Sequence, residues 1–196
     1  MENENPEVKE YHLNTIYFYL TEGCNLACRH CWIAPHYQTG DHTYPSLDLD
    51  LFRSILRQAK VMNISGVKLT GGEPLLHPQI LEIMELIRTE DLRLTMETNG
   101  VLCTSEMAKE ISLGKNAFVS VSIDAADPEI HEWVRGVKGS FDAAVEGVRN
   151  LVKYKMRPQI FMTIMHRNKH QMEAIVRLAE SLGAGSVKYN ILQPTA

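Results

Sequence analysis

The stretch "TIYFYLTEGCNLACRHCW" (residues 15–32) joins a β-prone run to a loop that holds three of the chain's four cysteines. β-branched and aromatic residues dominate its first six positions, which predicts a strand over 15–20. Cys24, Cys28 and Cys31 follow in the pattern Cys-x3-Cys-x2-Cys. The sequence therefore places three thiols in the loop at the carboxyl end of the first strand.

The remainder of the chain repeats a unit of one strand followed by one amphipathic helix. Five further strands are predicted, in "GVKLT", "LRLTMETNG", "AFVSVSIDA", "PQIFMTIM" and "SVKYNIL". Six strands with five intervening helices indicate an α/β fold with a parallel sheet. Right-handed crossovers wind such a sheet in one direction, and six strands are too few to close an eight-stranded barrel. We therefore expect a partial, TIM-like (β/α)6 barrel at 14–196, preceded by a lead-in at 1–13.

The ends of the predicted helices are marked by capping residues. Ser46 is expected to cap the first helix at its N-terminus and Ser140 to cap the fourth, while Gly183 is expected to end the last. The residues expected to face the core from the second helix include Leu81, Met84 and Ile87.

Composition and charge exclude several classes of function. The 196 residues are 44% hydrophobic and 22% charged, and the net charge of −4 gives no electrostatic case for nucleic-acid binding. No apolar run is long enough to span a membrane, and the acidic N-terminus is unlike a signal peptide. We expect a cytoplasmic protein, in which clustered cysteines favour metal or redox chemistry over structural disulfides.

Unusual segments follow the first four strands at equivalent positions. The cysteine loop follows the first strand, "GGEP" the second and "ETNG" the third, and "SIDA" closes the fourth. Because the carboxyl ends of parallel strands meet at one edge, these segments are expected to line one site. Soft thiolates select zinc, copper(I) or iron–sulfur clusters, and a [4Fe–4S] cluster held by three cysteines leaves one iron open. A structural zinc with His30 or His36 as the fourth ligand is the alternative on spacing alone.

The paired segments "CNLACRHC" and "LTGGEPLL" resemble the radical S-adenosylmethionine (SAM) superfamily, whose signature is Cys-x3-Cys-x-aromatic-Cys with a Gly-Gly-Glu loop. His30 stands at the aromatic position, and the resemblance covers essentially the whole chain. It implies a partial barrel of the radical SAM type. It also implies two cofactors, a [4Fe–4S] cluster and SAM.

The resemblance assigns a role to each motif residue. It implies that Cys24, Cys28 and Cys31 are the catalytic metal ligands, which bind three irons while SAM binds the fourth. The residues implied to contact SAM are Gly71, Gly72, Glu73 and Pro74 at its amino group, Ser122 near the ribose and methionyl end, Arg135 at its carboxylate, Glu97 and Asn99 towards the ribose or substrate, and Leu192 near the adenine. From the residues alone, Asp124 is expected to be a turn or cap residue. The alternatives to the implied roles are a solvated surface charge for Arg135 and pairing with a lysine across the barrel for Glu97.

The resemblance also implies a reaction. The reduced cluster would cleave SAM to a 5′-deoxyadenosyl radical, which abstracts hydrogen from a substrate, with flavodoxin or ferredoxin as the electron donor. The chain looks most like the core of members with SPASM or Twitch extensions, among them peptide maturases and sulfatase-maturing enzymes, with that extension absent or truncated here. The expected substrate is a ribosomally made peptide. The alternatives are a small molecule or cofactor precursor, and a non-catalytic zinc or redox-sensing module.

Overall fold

A computed structural model describes residues 13–33, 36–37 and 44–193 of the chain. The predicted lead-in therefore lies almost entirely outside the described residues. The strands are β1 (Thr15–Tyr19), β2 (Gly23–Cys24), β3 (His36–Tyr37), β4 (Gly66–Thr70), β5 (Arg93–Thr98), β6 (Lys115–Ser122), β7 (Gln159–Ile164) and β8 (Ser186–Ile191). The helices are α1 (Leu49–Val61), α2 (Ile80–Thr89), α3 (Ser105–Ser112), α4 (Pro128–Arg135), α5 (Ser140–Lys153) and α6 (Met172–Leu182).

Six of the strands form one parallel sheet in the order β1-β4-β5-β6-β7-β8. Each neighbouring pair is parallel, and the order of these six strands in the sheet is their order along the chain. The strands thus wind in one direction and leave β1 and β8 as the edges of the described sheet. The α/β prediction is confirmed, and the architecture is an open, partial barrel.

The core lies between one face of the sheet and the helices. Alternate residues of the strands point to this face, as Val67 and Leu69 do from β4, and both are fully buried. Phe18 of β1 meets Phe52 of α1 with ring centroids 4.5 Å apart. The opposite face carries the other half of each strand's side chains and is not covered by these helices.

Several local predictions differ from the structure. Asp48, not Ser46, caps α1 by accepting from the Leu51 amide at 2.9 Å, and Gly139, not Ser140, precedes α5. Leu81 is 51% exposed, whereas Met84 and Ile87 are buried as expected. The last helix ends at Gly183 with a left-handed φ of 75°, which confirms that boundary.

Two features of the fold were not predicted. The short parallel pair of β2 and β3 lies within and just after the cysteine loop, and α4 lies between β6 and α5. Among the described residues, no helix is both long and apolar enough to cross a membrane.

Candidate functional site

A cleft opens at the carboxyl ends of β1, β4, β5 and β6, where the sequence predicted one site. Its lining residues are Cys24, Cys28, Cys31, Thr70, Gly71, Gly72, Glu97, Thr98, Asn99, Ser122 and Arg135. All four segments singled out in the sequence thus contribute to the lining of this cleft. Arg135 lies outside those segments and comes from α4. Thr70 and Thr98, the last residues of β4 and β5, also line the cleft although no motif marked them.

The cysteine loop is held in place by backbone hydrogen bonds to the end of α4. The Ala27 amide donates to the Arg135 carbonyl at 3.1 Å, and the Arg29 amide donates to the Val134 carbonyl at 2.9 Å. Gly136 lies so close to this loop that an added Cβ would stand 2.3 Å from the Ala27 carbonyl oxygen. The helix that was not predicted is therefore the support on which the thiols are arranged.

The three thiols fit a cluster better than a single metal ion. Within the described part of the chain, no three His, Cys, Asp or Glu side chains converge closely enough to share one ion. In a four-iron cluster each thiolate binds its own iron, so wider spacing is suitable. His30 faces Asp124, with Nε2 4.0 Å from Oδ2, and burial followed by the charge of Arg135 lowers its pKa. The side chain of His36 lies outside those described.

The two glycines of the second loop let this loop pack against the backbone of the first. The Gly72 amide donates to the Thr21 carbonyl at 2.9 Å, and Gly71 has a φ of 125°, which disfavours other residues. A Cβ at Gly72 would stand only 2.0 Å from the Gly23 carbonyl oxygen. The glycines line the cleft because the two loops are in direct contact.

Glu73 lies behind the wall of the cleft. Its carboxylate accepts hydrogen bonds from the Thr98 hydroxyl at 2.7 Å, the Asn99 amide at 2.8 Å and the Leu75 amide at 3.1 Å. Burial raises its pKa, and these donors oppose the rise. Glu73 therefore ties the loop after β4 to the end of β5. Pro74, the first residue of the short 3-10 turn Pro74–Leu76, is also buried outside the lining.

Asn99 and Glu97 approach the cleft from the end of β5. The side-chain nitrogen of Asn99, Nδ2, donates to Asn25 Oδ1 at 2.7 Å and lies 3.9 Å from Cys24 Sγ. This side chain therefore joins the end of β5 to the cysteine loop. Glu97 pairs with Lys68 on the neighbouring strand, the arrangement weighed as an alternative for it. Both residues line the cleft, and the Glu97 carboxylate is already paired with Lys68, which is not among the lining residues.

Arg135 is the only positive side chain among those that line the cleft. It is not a surface charge: Nε lies 2.8 Å from Asp124 Oδ2, with side chains 8% and 0% exposed. The Nε–H bond of Arg135 does not point towards Asp124 Oδ2, so the contact is an ion pair without hydrogen-bond geometry. A terminal nitrogen, Nη1, lies 3.6 Å from Cys28 Sγ. Burial lowers the pKa of Arg135, but Asp124 and Cys28 outweigh it and raise the pKa above its usual value.

Asp124 is the residue that sequence reasoning missed. It was expected to be a turn or cap residue, but it is fully buried and its carboxylate contacts Arg135. Its Oδ1 accepts from the Thr163 amide at 2.8 Å, and its backbone amide donates to His131 Nδ1 at 3.2 Å. The signal in the sequence was the "SIDA" segment at a strand end, but nothing in the spacing paired it with Arg135.

Ser122 lies where the sequence placed it, at the end of β6 and on the cleft. Leu192 lies just beyond β8, where its amide donates to the Ile164 carbonyl at 3.0 Å, and it is 37% exposed. It does not contribute to the lining of the cleft. The structure thus brings together Ser122, Arg135 and the cysteines but leaves Leu192 apart from them.

The sequence is similar to those of named proteins from other organisms. It is 33% identical over 176 residues to an AdoMet-dependent heme synthase of Methanosarcina barkeri, and 30% identical over 177 residues to the mycofactocin maturase MftC of Mycobacterium tuberculosis. Each match covers 90% of this chain, but only 50% and 44% of those relatives. The chain thus spans half or less of the length of these proteins.

The fold has close counterparts among solved structures. Streptococcus suis SuiB bound to S-adenosylmethionine superposes with a TM-score of 0.79 at 18% identity, over 92% of this chain and 41% of that protein. At this identity the likeness concerns the fold alone. The sequence-family model of the Radical SAM superfamily matches residues 18–179 of this chain. This range includes the cysteine loop, the Gly-Gly-Glu loop and Arg135. The chain therefore belongs to the radical SAM superfamily.

Proposed function

We propose that the chain forms the catalytic core of an enzyme that binds a [4Fe–4S] cluster and SAM in the cleft described above. One observation carries the proposal: three cysteines, the paired glycines, Ser122 and Arg135 line the same cleft. When bound and supplied with one electron, this pair of cofactors provides reductive cleavage of SAM and hydrogen abstraction from a substrate. The protein's own residues bind and orient the reacting groups.

The roles of the residues follow from where they lie. Cys24, Cys28 and Cys31 would hold the cluster, and Arg135 would offer its guanidinium to a carboxylate in the cleft. Gly71 and Gly72 would present backbone to the methionyl group of SAM. Glu73 would act from behind by bracing that loop, since its three hydrogen bonds are to the protein.

Ser122 would meet the ribose and methionyl end of SAM from β6. Glu97 and Asn99 remain proposed for the ribose or substrate side, and both line the cleft. Pro74 would shape the loop from its buried position. For Leu192 the proposed adenine contact would come from its backbone.

We infer that the substrate is a ribosomally made peptide. Relatives of this chain include a protein named as a mycofactocin maturase. The helix-free face of the sheet supports the inference: Tyr17, Lys68, Thr95 and Phe118 are in register across four strands. Tyr17 and Phe118 are 59% and 39% exposed. Exposed aromatic rings on a concave sheet offer contacts to a large, extended ligand.

A small-molecule substrate is the second candidate. It is favoured by the relative of 33% identity, which is named as a heme synthase. The open edges of the sheet give no reason to exclude a compact ligand. We place the enzyme in the cytoplasm, because thiols that hold a cluster must remain reduced.

Anaerobic reconstitution tests the proposed function. Iron, sulfide, SAM and dithionite are added, and 5′-deoxyadenosine is measured. The unmodified protein should form it, and Cys28→Ala should neither retain the cluster nor form the product. Cys103→Ala is the matched control, because Cys103 is buried away from the cleft and should leave both properties intact. A colourless protein that binds zinc and forms no 5′-deoxyadenosine would refute the proposal.

The choice of substrate has its own test. Peptides encoded beside the gene and tetrapyrrole precursors are added separately to the reconstituted enzyme. Formation of 5′-deoxyadenosine should rise with the peptide, whose mass should change. A rise that occurs only with the tetrapyrrole would replace the first candidate with the second.

A further inference from the structure

The cysteine loop carries a basic surface that the cleft does not use. The guanidinium of Arg29 lies 4.8 Å from the ring centroid of Trp133, and that of Arg167 lies 4.5 Å from the same centroid. Arg29 belongs to the cysteine loop, Trp133 to α4 and Arg167 to the connection between β7 and α6. We call these three residues the Arg–Trp–Arg patch. All three are exposed, and none lines the cleft.

The patch lies beside the cysteine ligands in sequence, but its residues are outside the lining of the cleft. Arg29 Nε donates to the Trp133 carbonyl at 2.9 Å, which holds the side chain against the outside of α4. Cys28, its neighbour in sequence, points its thiol towards Arg135 and the cleft. Consecutive Cα atoms are about 3.8 Å apart, so a single peptide bond separates Arg29 of the patch from Cys28, whose thiol would hold the cluster.

The charges of the patch are fixed in position. Stacking on one ring and the bond from Arg29 restrict both guanidiniums, which lowers the entropic cost of ordering them on binding. Exposed Lys169 adds a further positive charge close to Arg167 in sequence. The acidic residues of α4 near Trp133 are Glu129, one helical turn before it, and Glu132, whose carboxylate accepts a hydrogen bond from the Gly139 amide. The patch is thus locally basic on a chain whose net charge is −4.

We propose that the Arg–Trp–Arg patch is the docking surface for an acidic one-electron carrier protein that reduces the cluster. This inference rests on the proposed function. A basic spot on an otherwise acidic chain would steer an acidic partner to one place, and the exposed edge of Trp133 would supply the apolar centre of a small, transient interface. On docking, one electron leaves the reduced carrier and is gained by the cluster. No bond forms or breaks, and no proton is transferred.

The position of the patch favours a carrier over a substrate. A substrate must reach the cleft, whereas an electron needs only a short path through the loop. The patch provides that path, because Arg29 is hydrogen-bonded to the Trp133 carbonyl of α4 and is covalently joined to Cys28 through the backbone. An acidic peptide bound at the patch would lie outside the cleft lining.

The test compares charge variants of Arg167, which has no role in the cleft. Flavodoxin is the probe, and its Kd for the cluster-loaded protein is measured by calorimetry at low and at moderate salt. Arg167→Glu should weaken binding about tenfold at low salt and reduce the salt dependence. Arg167→Lys keeps the charge and should bind nearly as well as the unmodified protein. Arg57→Glu is the control, because Arg57 is exposed on α1 and undergoes the same change of charge.

Product formation supplies the second readout. With flavodoxin kept reduced by its reductase, Arg167→Glu should form 5′-deoxyadenosine more slowly, whereas with dithionite its rate should be unchanged. Equal flavodoxin affinities for Arg167→Glu and Arg57→Glu would overturn the inference, as would binding of an acidic peptide but not flavodoxin at the patch. Absence of product with dithionite in the unmodified protein would instead refute the proposed function, while the affinities would still test the surface.

Discussion

Arg135 Nε lies 2.8 Å from Asp124 Oδ2, and both side chains are buried at the base of the cysteine loop. The same guanidinium places Nη1 3.6 Å from Cys28 Sγ. Asp124 is itself fixed by the Thr163 amide, which donates to Oδ1. One buried acid, two residues beyond the end of β6, thus holds the guanidinium that lies on the cleft beside Cys28.

Replacing Asp124 with asparagine should destabilise the protein strongly. Asp124→Asn keeps the shape of the side chain and an acceptor for the Thr163 amide, but it leaves Arg135 buried without a countercharge. Breaking a buried pair in this way costs about 3 kcal/mol or more. The free energy of unfolding, measured by urea titration of the cluster-free protein, should fall by about that amount.

A surface pair provides the comparison. Glu146 pairs with Arg149 on α5, with side chains 60% and 59% exposed. Glu146→Gln should change the free energy of unfolding by less than about 1 kcal/mol, because solvent screens exposed pairs. Similar losses in Asp124→Asn and Glu146→Gln would show that the buried pair does not stabilise the fold as described.

Cys103 should resist alkylation in the cluster-free protein. Its thiol is 2% exposed, and burial raises its pKa to about 12, with the charge of Glu73 as a smaller cause. At pH 8 the group is therefore protonated, and the thiolate is the form that reacts. Iodoacetamide followed by peptide mass spectrometry should show modification at Cys28 and Cys31, both half-buried, well before Cys103. Rapid labelling of Cys103 in folded protein would contradict its placement.

The sequence was sufficient for the sheet and for the edge at which the site lies. Strand positions depend on runs of β-branched and aromatic residues, and the alternation of strands with helices leaves few topologies. The same logic placed Ser122 and the cysteines together. Leu81 was assigned wrongly because α2 is apolar around much of its circumference, with Ile80 and Ile83 buried and Leu81 turned to solvent.

What the sequence did not predict depends on contacts distant along the chain. Helix α4 has only eight residues, too few for a long periodic pattern; Asp127 caps its start, Gly136 ends it, and the cysteine loop is hydrogen-bonded to its last turn. Asp124 and Arg135 pair only because that helix returns to the strand end.

The predicted caps at Ser46 and Ser140 were wrong for a local reason. Asp48 accepts from the Leu51 amide nearer the start of α1, while the Ser140 hydroxyl donates to the Val137 carbonyl.

Acid should destabilise the protein through His131. The side chain accepts from the Asp124 amide at Nδ1, and burial, with the charge of Arg135 as the second cause, lowers its pKa from 6.5 to about 3. Because the pKa is lower in the folded than in the unfolded state, neutral His131 contributes fully to the free energy of unfolding above about pH 6.5. This contribution is lost as the pH falls towards 3. The loss approaches about 1.4 kcal/mol per pH unit, or roughly 2 kcal/mol between pH 6.5 and 5.

A variant without a titrating ring isolates this effect. His131→Asn keeps an acceptor for the Asp124 amide and cannot take up a proton in this range. Urea unfolding at pH 7, 6 and 5 should show a shallower decline for His131→Asn than for the unmodified protein. Parallel declines would mean that other groups account for the acid sensitivity.

The contact between the two loops of the site should fail when Gly72 gains a side chain. A Cβ there would stand 2.0 Å from the Gly23 carbonyl oxygen, and backbone cannot yield as a flexible side chain can. Gly72→Ala should therefore separate the loop after β4 from the cysteine loop, lower the melting temperature and reduce the iron retained after reconstitution. Gly139→Ala is the control: Gly139 has a φ of 77° but nothing within 4 Å of an added Cβ, so it should cost about 1 kcal/mol of backbone strain and retain its iron. Equal iron contents in the two variants would show that close packing of the loops is not needed to hold the cluster.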